Sequence, residues 1–99
     1  MNMQQMMIQA QKMQRELKKA QDELAKKEFK ASKAGLVTVT VLGSKEIVSI
    51  EIDKDGFDAD NKEMIEELIA SALNEIFVQI DDENEAIQEK ITGRTGLGF

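Results

Sequence analysis

Residues 3–26 read Met3-Gln4-Gln5-Met6-Met7-Ile8-Gln9-Ala10-Gln11-Lys12-Met13-Gln14-Arg15-Glu16-Leu17-Lys18-Lys19-Ala20-Gln21-Asp22-Glu23-Leu24-Ala25-Lys26. Within this stretch Met3, Met6, Ala10, Met13, Leu17, Ala20 and Leu24 recur in alternating steps of three and four, the spacing of an apolar seam on an α-helix. Lys12, Lys19 and Lys26 recur every seven residues on a different face. The chain has no proline and no glycine before Gly35, so nothing interrupts a helix from residue 2 to residue 28. At 1.5 Å per residue such a helix spans roughly 40 Å, more than the width of a globule this small. The helix over residues 1–28 is therefore expected to project as an arm, to pair, or both.

Beyond the arm the periodicity changes. Phe29-Lys30-Ala31-Ser32-Lys33 alternates weakly and reads as a short strand or a linker, and Ala34-Gly35 makes a turn. Val37, Val39 and Val41 then alternate with Thr38 and Thr40, and Gly43-Ser44 is a hairpin signal. Val48, Ile50 and Ile52 alternate with Ser49 and Glu51. Residues 29–53 thus predict a small antiparallel sheet of two or three strands with one wet side. Asp60 and Glu63 resemble a capping box opening a second helix over residues 60–91. Beyond Ile80 its apolar pattern thins to Ile87 and Ile91 amid acids, which reads as a solvated helix end. Thr92 to Phe99 contains three glycines and is expected to be a flexible tail. The fold class is α+β in a single domain.

The apolar positions of the second helix run from Met64 and Ile65 through Leu68, Ile69, Ala72, Leu73, Ile76 and Phe77 to Ile80. At about 100° per residue they cover more than half the circumference, a wider arc than one sheet face needs. A dimer is the expected use of the surplus, with Ile69, Leu73, Ile76 and Phe77 near the shared region. The aromatic content points the same way. Four Phe with no Trp or Tyr give a lean aliphatic core, and small domains bury a limited share of their surface alone.

Composition narrows the chemistry. Without His or Cys there is no ordinary Ser-His or Cys-His pair, no thiolate metal site and no disulfide framework. No glycine-rich phosphate loop with its lysine is present. Asp53, Asp55 and Gly56 superficially resemble a calcium loop opening at Glu51. The twelfth place, however, is Lys62 rather than a bidentate glutamate, and a strand end with a turn accounts for the acids. No enzyme, metal, cofactor or small-molecule substrate is expected. No apolar run approaches the ~18 residues of a spanning helix, and no signal-peptide pattern opens the chain. The chain reads as a cytoplasmic protein with no membrane partner.

The net charge of −6 is unevenly distributed: residues 1–34 carry +4 and residues 35–99 carry −10. The positive charge thus sits on the projecting element. Lys12, Lys19 and Lys26, widened by Arg15 and Lys18, form a row with members about 10 Å apart. Such a row suits phosphate contact without base reading. It is equally the pattern of a solvated face that keeps a helix soluble, with Glu16, Asp22 and Glu23 as partial counterions.

The order of elements carries a resemblance. The Met-, Gln- and Lys-rich helix is followed by Gly35-Leu36-Val37-Thr38-Val39-Thr40-Val41, then Val48-Ser49-Ile50-Glu51-Ile52-Asp53. Next come Asn61-Lys62-Glu63-Met64-Ile65-Glu66-Glu67-Leu68-Ile69 and Ala70-Ser71-Ala72-Leu73-Asn74-Glu75. Over nearly the whole chain this resembles the YbaB/EbfC family of bacterial nucleoid-associated proteins. The resemblance implies a tweezer-like homodimer whose helical arms project from a central β region. It also implies binding of duplex DNA with little sequence preference, on the nucleoid. The candidate DNA-contacting residues are Lys12, Arg15, Lys18, Lys19, Lys26, Lys27 and Lys30. The alternative is a protein-interaction module that uses the Met-rich seam.

Overall fold

The structure is a computed structural model and describes residues 2–94. The chain forms α1 (Met3–Lys26), β1 (Glu28–Lys33), β2 (Val37–Leu42), β3 (Ile47–Ile52) and α2 (Lys62–Arg94), with two short 3-10 turns between β3 and α2. The strands make one antiparallel sheet in the order β1-β2-β3. This is the α+β fold expected, and residues 28–33 are a strand rather than a linker. The long helices give the molecule an extent of 69 × 22 × 14 Å.

Local chemistry sets the boundaries. Asn2 caps α1, its side-chain oxygen accepting from the Gln5 N–H at 2.8 Å. At the other end, the β2–β3 turn supplies donors to the last carbonyls of the arm. Gly43 N–H donates to the Lys27 carbonyl at 2.8 Å and Ser44 N–H to that of Ala25 at 3.2 Å. The β1–β2 turn has Ala34 at φ 54° and Gly35 at φ 66°, both positive as a type I′ turn requires. Ahead of α2, Asp58 accepts from the Asp60 N–H at 3.0 Å and starts a 3-10 turn that feeds the helix. Asp58 caps this turn, and α2 itself begins at Lys62, two residues beyond the expected Asp60. Helix α2 runs to Arg94, so only residues 95–99 of the expected tail remain, and these lie outside the described residues.

The core forms where α2 lies across β1 and β2. Phe29 and Ala31 of β1, Val37, Val39 and Val41 of β2, and Ile65, Ala72, Ile76 and Ile80 of α2 are all buried together with Leu24 of α1. Each fully buried aliphatic side chain contributes about 1.5–3 kcal/mol. Strand β3 lies at the edge, and Ile47, Val48 and Ile50 are exposed there. Its pairing carries a bulge. Thr40 sits opposite Ser49 and Val41 opposite Ile47, so Val48 is the extra residue. Ile47 therefore shares the α2-side face with Ile50 and Ile52, a shift of face that strict alternation does not foresee.

The seam on α1 divides in two. Its inner half (Met13, Leu17, Ala20 and Leu24) turns toward the distal half of α2, where Ile80, Ile87 and Ile91 supply the facing apolar positions. The stretch beyond Ile80 is therefore not a solvated helix end, despite its run of acids. It is the antiparallel partner of the arm, and Ile80 and Ile91 are buried. The arm is thus two helices along its inner half, where the sequence pattern alone suggests one. Only from Asn2 to Lys12 is every α1 residue exposed.

Candidate nucleic-acid interface

On α1 the 3-4 spacing turns the seam toward α2, and Lys12, Lys19 and Lys26 fall roughly opposite it at about 100° per residue. All three are exposed, as are Arg15 and Lys18. Arg15, Lys18, Lys19 and Lys26 border one shallow groove on the outer surface of the arm, with Asp22 and Glu23. Lys18 Nζ is paired with Asp22 at 3.1 Å. Lys12, Arg15, Lys19 and Lys26 enter no ion pair among the described residues. Four cations along about four turns therefore face solvent, and the one paired member is in a well-exposed contact worth at most about 1 kcal/mol.

The remaining two candidates sit elsewhere. Lys27, at the end of the arm, donates to Glu83 of α2 at 2.7 Å and lies over the Phe29 ring at 5.1 Å, so it clamps α1 to α2 and β1. Lys30 is on β1 opposite Thr40, on the sheet face away from α2, and is exposed. It is separated from the arm's row and shares its surface with Ser32 and Thr38, whose hydroxyls are 2.9 Å apart. The structure thus brings together five of the seven candidates and leaves two outside the row. One cation beside the row was missed: Lys90 of α2 borders the α1–α2 groove with Glu16, Lys19 and Glu23. It is 71 positions from Lys19 in sequence, so only the antiparallel pairing of the helices reveals it.

The apolar residues expected at a shared surface belong first to the protomer. Ile76 is fully buried in its core, while Ile69, Leu73 and Phe77 are half-buried against it. Two ion pairs orient α2 over the sheet. Lys33, closing β1, holds Glu75 at 3.1 Å, whereas Lys45, just before β3, holds Asp81 at 2.9 Å and lies 5.9 Å from the Phe77 ring centre. Glu75 therefore marks the β1 flank of α2, and Phe77 marks the flank toward β3. Leu73, about 40° from Phe77 around the helix, lies on that β3 flank as well.

Among the described residues no group of acids is arranged to hold a metal ion, and no helix is long and apolar enough to cross a membrane. Fold and surface define a class: a small α+β protein with a paired helical arm, acidic along α2 and lined on the outer side of α1 with lysine and arginine. The chain belongs to the YbaB/EbfC DNA-binding family, whose sequence pattern matches residues 1–95. It is similar to a nucleoid-associated protein of Clostridium novyi, 46% identical over 94 residues that cover 94% of this chain and 82% of that one. It is also similar to one of Agathobacter rectalis, 45% identical over 99% of this chain and 88% of that one. A third, from Streptococcus suis, is 42% identical over 97% of this chain and 95% of that one. An uncharacterized Helicobacter pylori protein shares the fold in its crystal structure. Its TM-score is 0.77 at 21% identity, over 92% of this chain and 97% of that one.

Proposed function

We propose that this chain is a nucleoid-associated protein that binds duplex DNA largely without sequence preference, acting in the cytoplasm on the nucleoid. The observation that carries the reading is the row of exposed cations Lys12, Arg15, Lys19 and Lys26 on the outer side of α1, none of them in an ion pair among the described residues. Lysines spaced along a helix act as point charges on phosphates and carry no base code. Affinity should therefore be similar on unrelated duplexes and fall steeply with salt. Lys18 joins the row by exchanging Asp22 for a phosphate. Lys27 and Lys30 are secondary contacts, the first because Glu83 already holds it. The family membership and the names of the relatives support DNA as the partner. This is a binding role and not an enzymatic one.

The working unit in this reading is a homodimer. Its support is the edge strand β3, which exposes Ile47 and Ile50 on the face where α2 covers only β1 and β2. Leu73 and Phe77 border that uncovered strip from α2, and Ile69 extends it. A second copy burying the strip would bring two arms together from one β region, while Ile76 supports the surface from beneath. A mobility-shift titration with two unrelated duplexes at two salt concentrations tests the DNA reading. Retention at low salt with loss at high salt on both duplexes supports it, and no retention at low salt overturns it.

A further inference from the structure

The first ten described residues, 2–11, contain no charged side chain. Their apolar members stand in water: Met3 is 78% exposed, and Met6, Met7 and Ile8 are 57–59% exposed. Met3, Met6 and Ala10 continue, on the same face and at the same spacing, the seam whose inner half meets α2. One helix face thus has a helical occupant from Met13 to Leu24 and none among the described residues from Met3 to Ala10. A cluster of apolar side chains on one element is a contact surface, and thioether side chains adapt readily to a partner.

We propose that the tip of a second copy of this chain covers this surface, the outer seams of two arms packing in a short helix–helix contact. Continuity is the first argument, because the inner seam already takes a helix with matching apolar spacing. Charge is the second. Two chains of net charge −6 repel each other. Residues 2–11 carry no acidic side chain and lie at the far end of a molecule 69 Å long, so copies approach there at least cost. Phosphates find no cationic side chain before Lys12, which argues against DNA as the occupant. Gln9 flanks the seam and can exchange amide hydrogen bonds across such a contact.

The outer seam covers only about 10 Å of helix, far short of the ~1,000 Å² of a stable interface. The contact is therefore weak between free copies and strengthens when arms are held close together. Arms side by side on a duplex meet that condition, so this setting rests on the DNA-binding reading, whereas the contact itself does not. Its consequence on DNA is cooperative loading of neighbouring copies.

The chain has no cysteine, so Met6→Cys places a single thiol on the seam, and Gln5→Cys places one about 100° around the same turn. Oxidation of the concentrated protein is expected to link Met6→Cys chains at least ~10-fold more than Gln5→Cys chains. A long duplex should raise the yield further. A double variant, Met3→Gln with Met6→Gln, should keep its affinity for a duplex that holds one protein unit and drop about 10-fold in cooperativity on a long one. Equal linking from both thiols overturns the contact, as does a double variant with unchanged cooperativity. Equal linking combined with binding of the parent, but not the double variant, to anionic phospholipid vesicles assigns the tip to a membrane surface instead. If the parent binds no DNA, the DNA reading falls, and the two-thiol comparison in solution still decides the contact.

Discussion

Gly43 lies directly against the Leu24 carbonyl: a β-carbon built at Gly43 would stand 1.8 Å from that oxygen and 2.7 Å from its carbon. The contact joins the β2–β3 turn to the end of α1, where the Gly43 and Ser44 N–H groups complete the last carbonyls of the arm. The arm is thus set on the sheet by backbone as well as by side chains. Because the obstacle is backbone, it cannot yield by a rotamer change.

Replacing Gly43 with Ala should therefore push the turn away from α1 and weaken both hydrogen bonds. The expected loss is about 1–3 kcal/mol, the usual cost of forcing extra volume into a packed site. Urea unfolding of the two proteins measures it, with the midpoint lowered and the slope nearly unchanged.

Ala34 offers the opposite outcome. Its φ of 54° is left-handed, where the β-carbon of alanine is disfavoured and asparagine is better tolerated. Ala34→Asn should stabilise the protein by about 0.5–1 kcal/mol. The same urea titration checks it. No change or a loss would mean that the turn relaxes out of this conformation in solution.

The apolar strip on β3 predicts a separation of assembly from folding. Ile50 is exposed in the protomer, so Ile50→Glu should leave the helical circular dichroism intact while weakening the dimer at least ~100-fold, since burying an unpaired charge is strongly unfavourable. Phe77→Asp should weaken the dimer and also lower the melting temperature, because Phe77 packs on the core and under Lys45. Sedimentation equilibrium and thermal melts on both variants check the pair. A dimer of undiminished affinity in Ile50→Glu would remove β3 from the interface.

Much of this architecture is legible in the sequence because it depends on local spacing. The 3-4 recurrence from Met3 to Leu24 fixes α1 and, from Met13 onward, the face it turns to α2, and the alternation of Val37, Val39 and Val41 fixes β2 and the face it buries. Relationships between distant positions are not legible in the same way. Ile80, Ile87 and Ile91 are too sparse to stand out among Asp81, Asp82, Glu83 and Glu85, and their meaning appears only when α1 lies beside them. The bulge at Val48 is hidden for a similar reason, since an extra residue is visible only against the strand it pairs with. The cation row is legible as a row. That Lys27 is held by Glu83 while Lys12 and Lys19 stand open follows from tertiary placement alone.

Phosphate contact by the α1 lysines is tested most sharply by the salt dependence of DNA affinity in the parent and in Lys12→Gln/Lys19→Gln/Lys26→Gln. Glutamine keeps the helix propensity of α1, and the three positions lie off the seam, so the fold should survive. With two arms each neutralising three or four phosphates, log affinity should fall against log salt with a slope of about −5 to −7. The triple variant should bind every duplex more weakly, with a slope shallower by about one unit for each phosphate no longer neutralised. A correctly folded triple variant whose affinity and slope match those of the parent would show that these lysines only solvate the arm, and would contradict DNA binding through them.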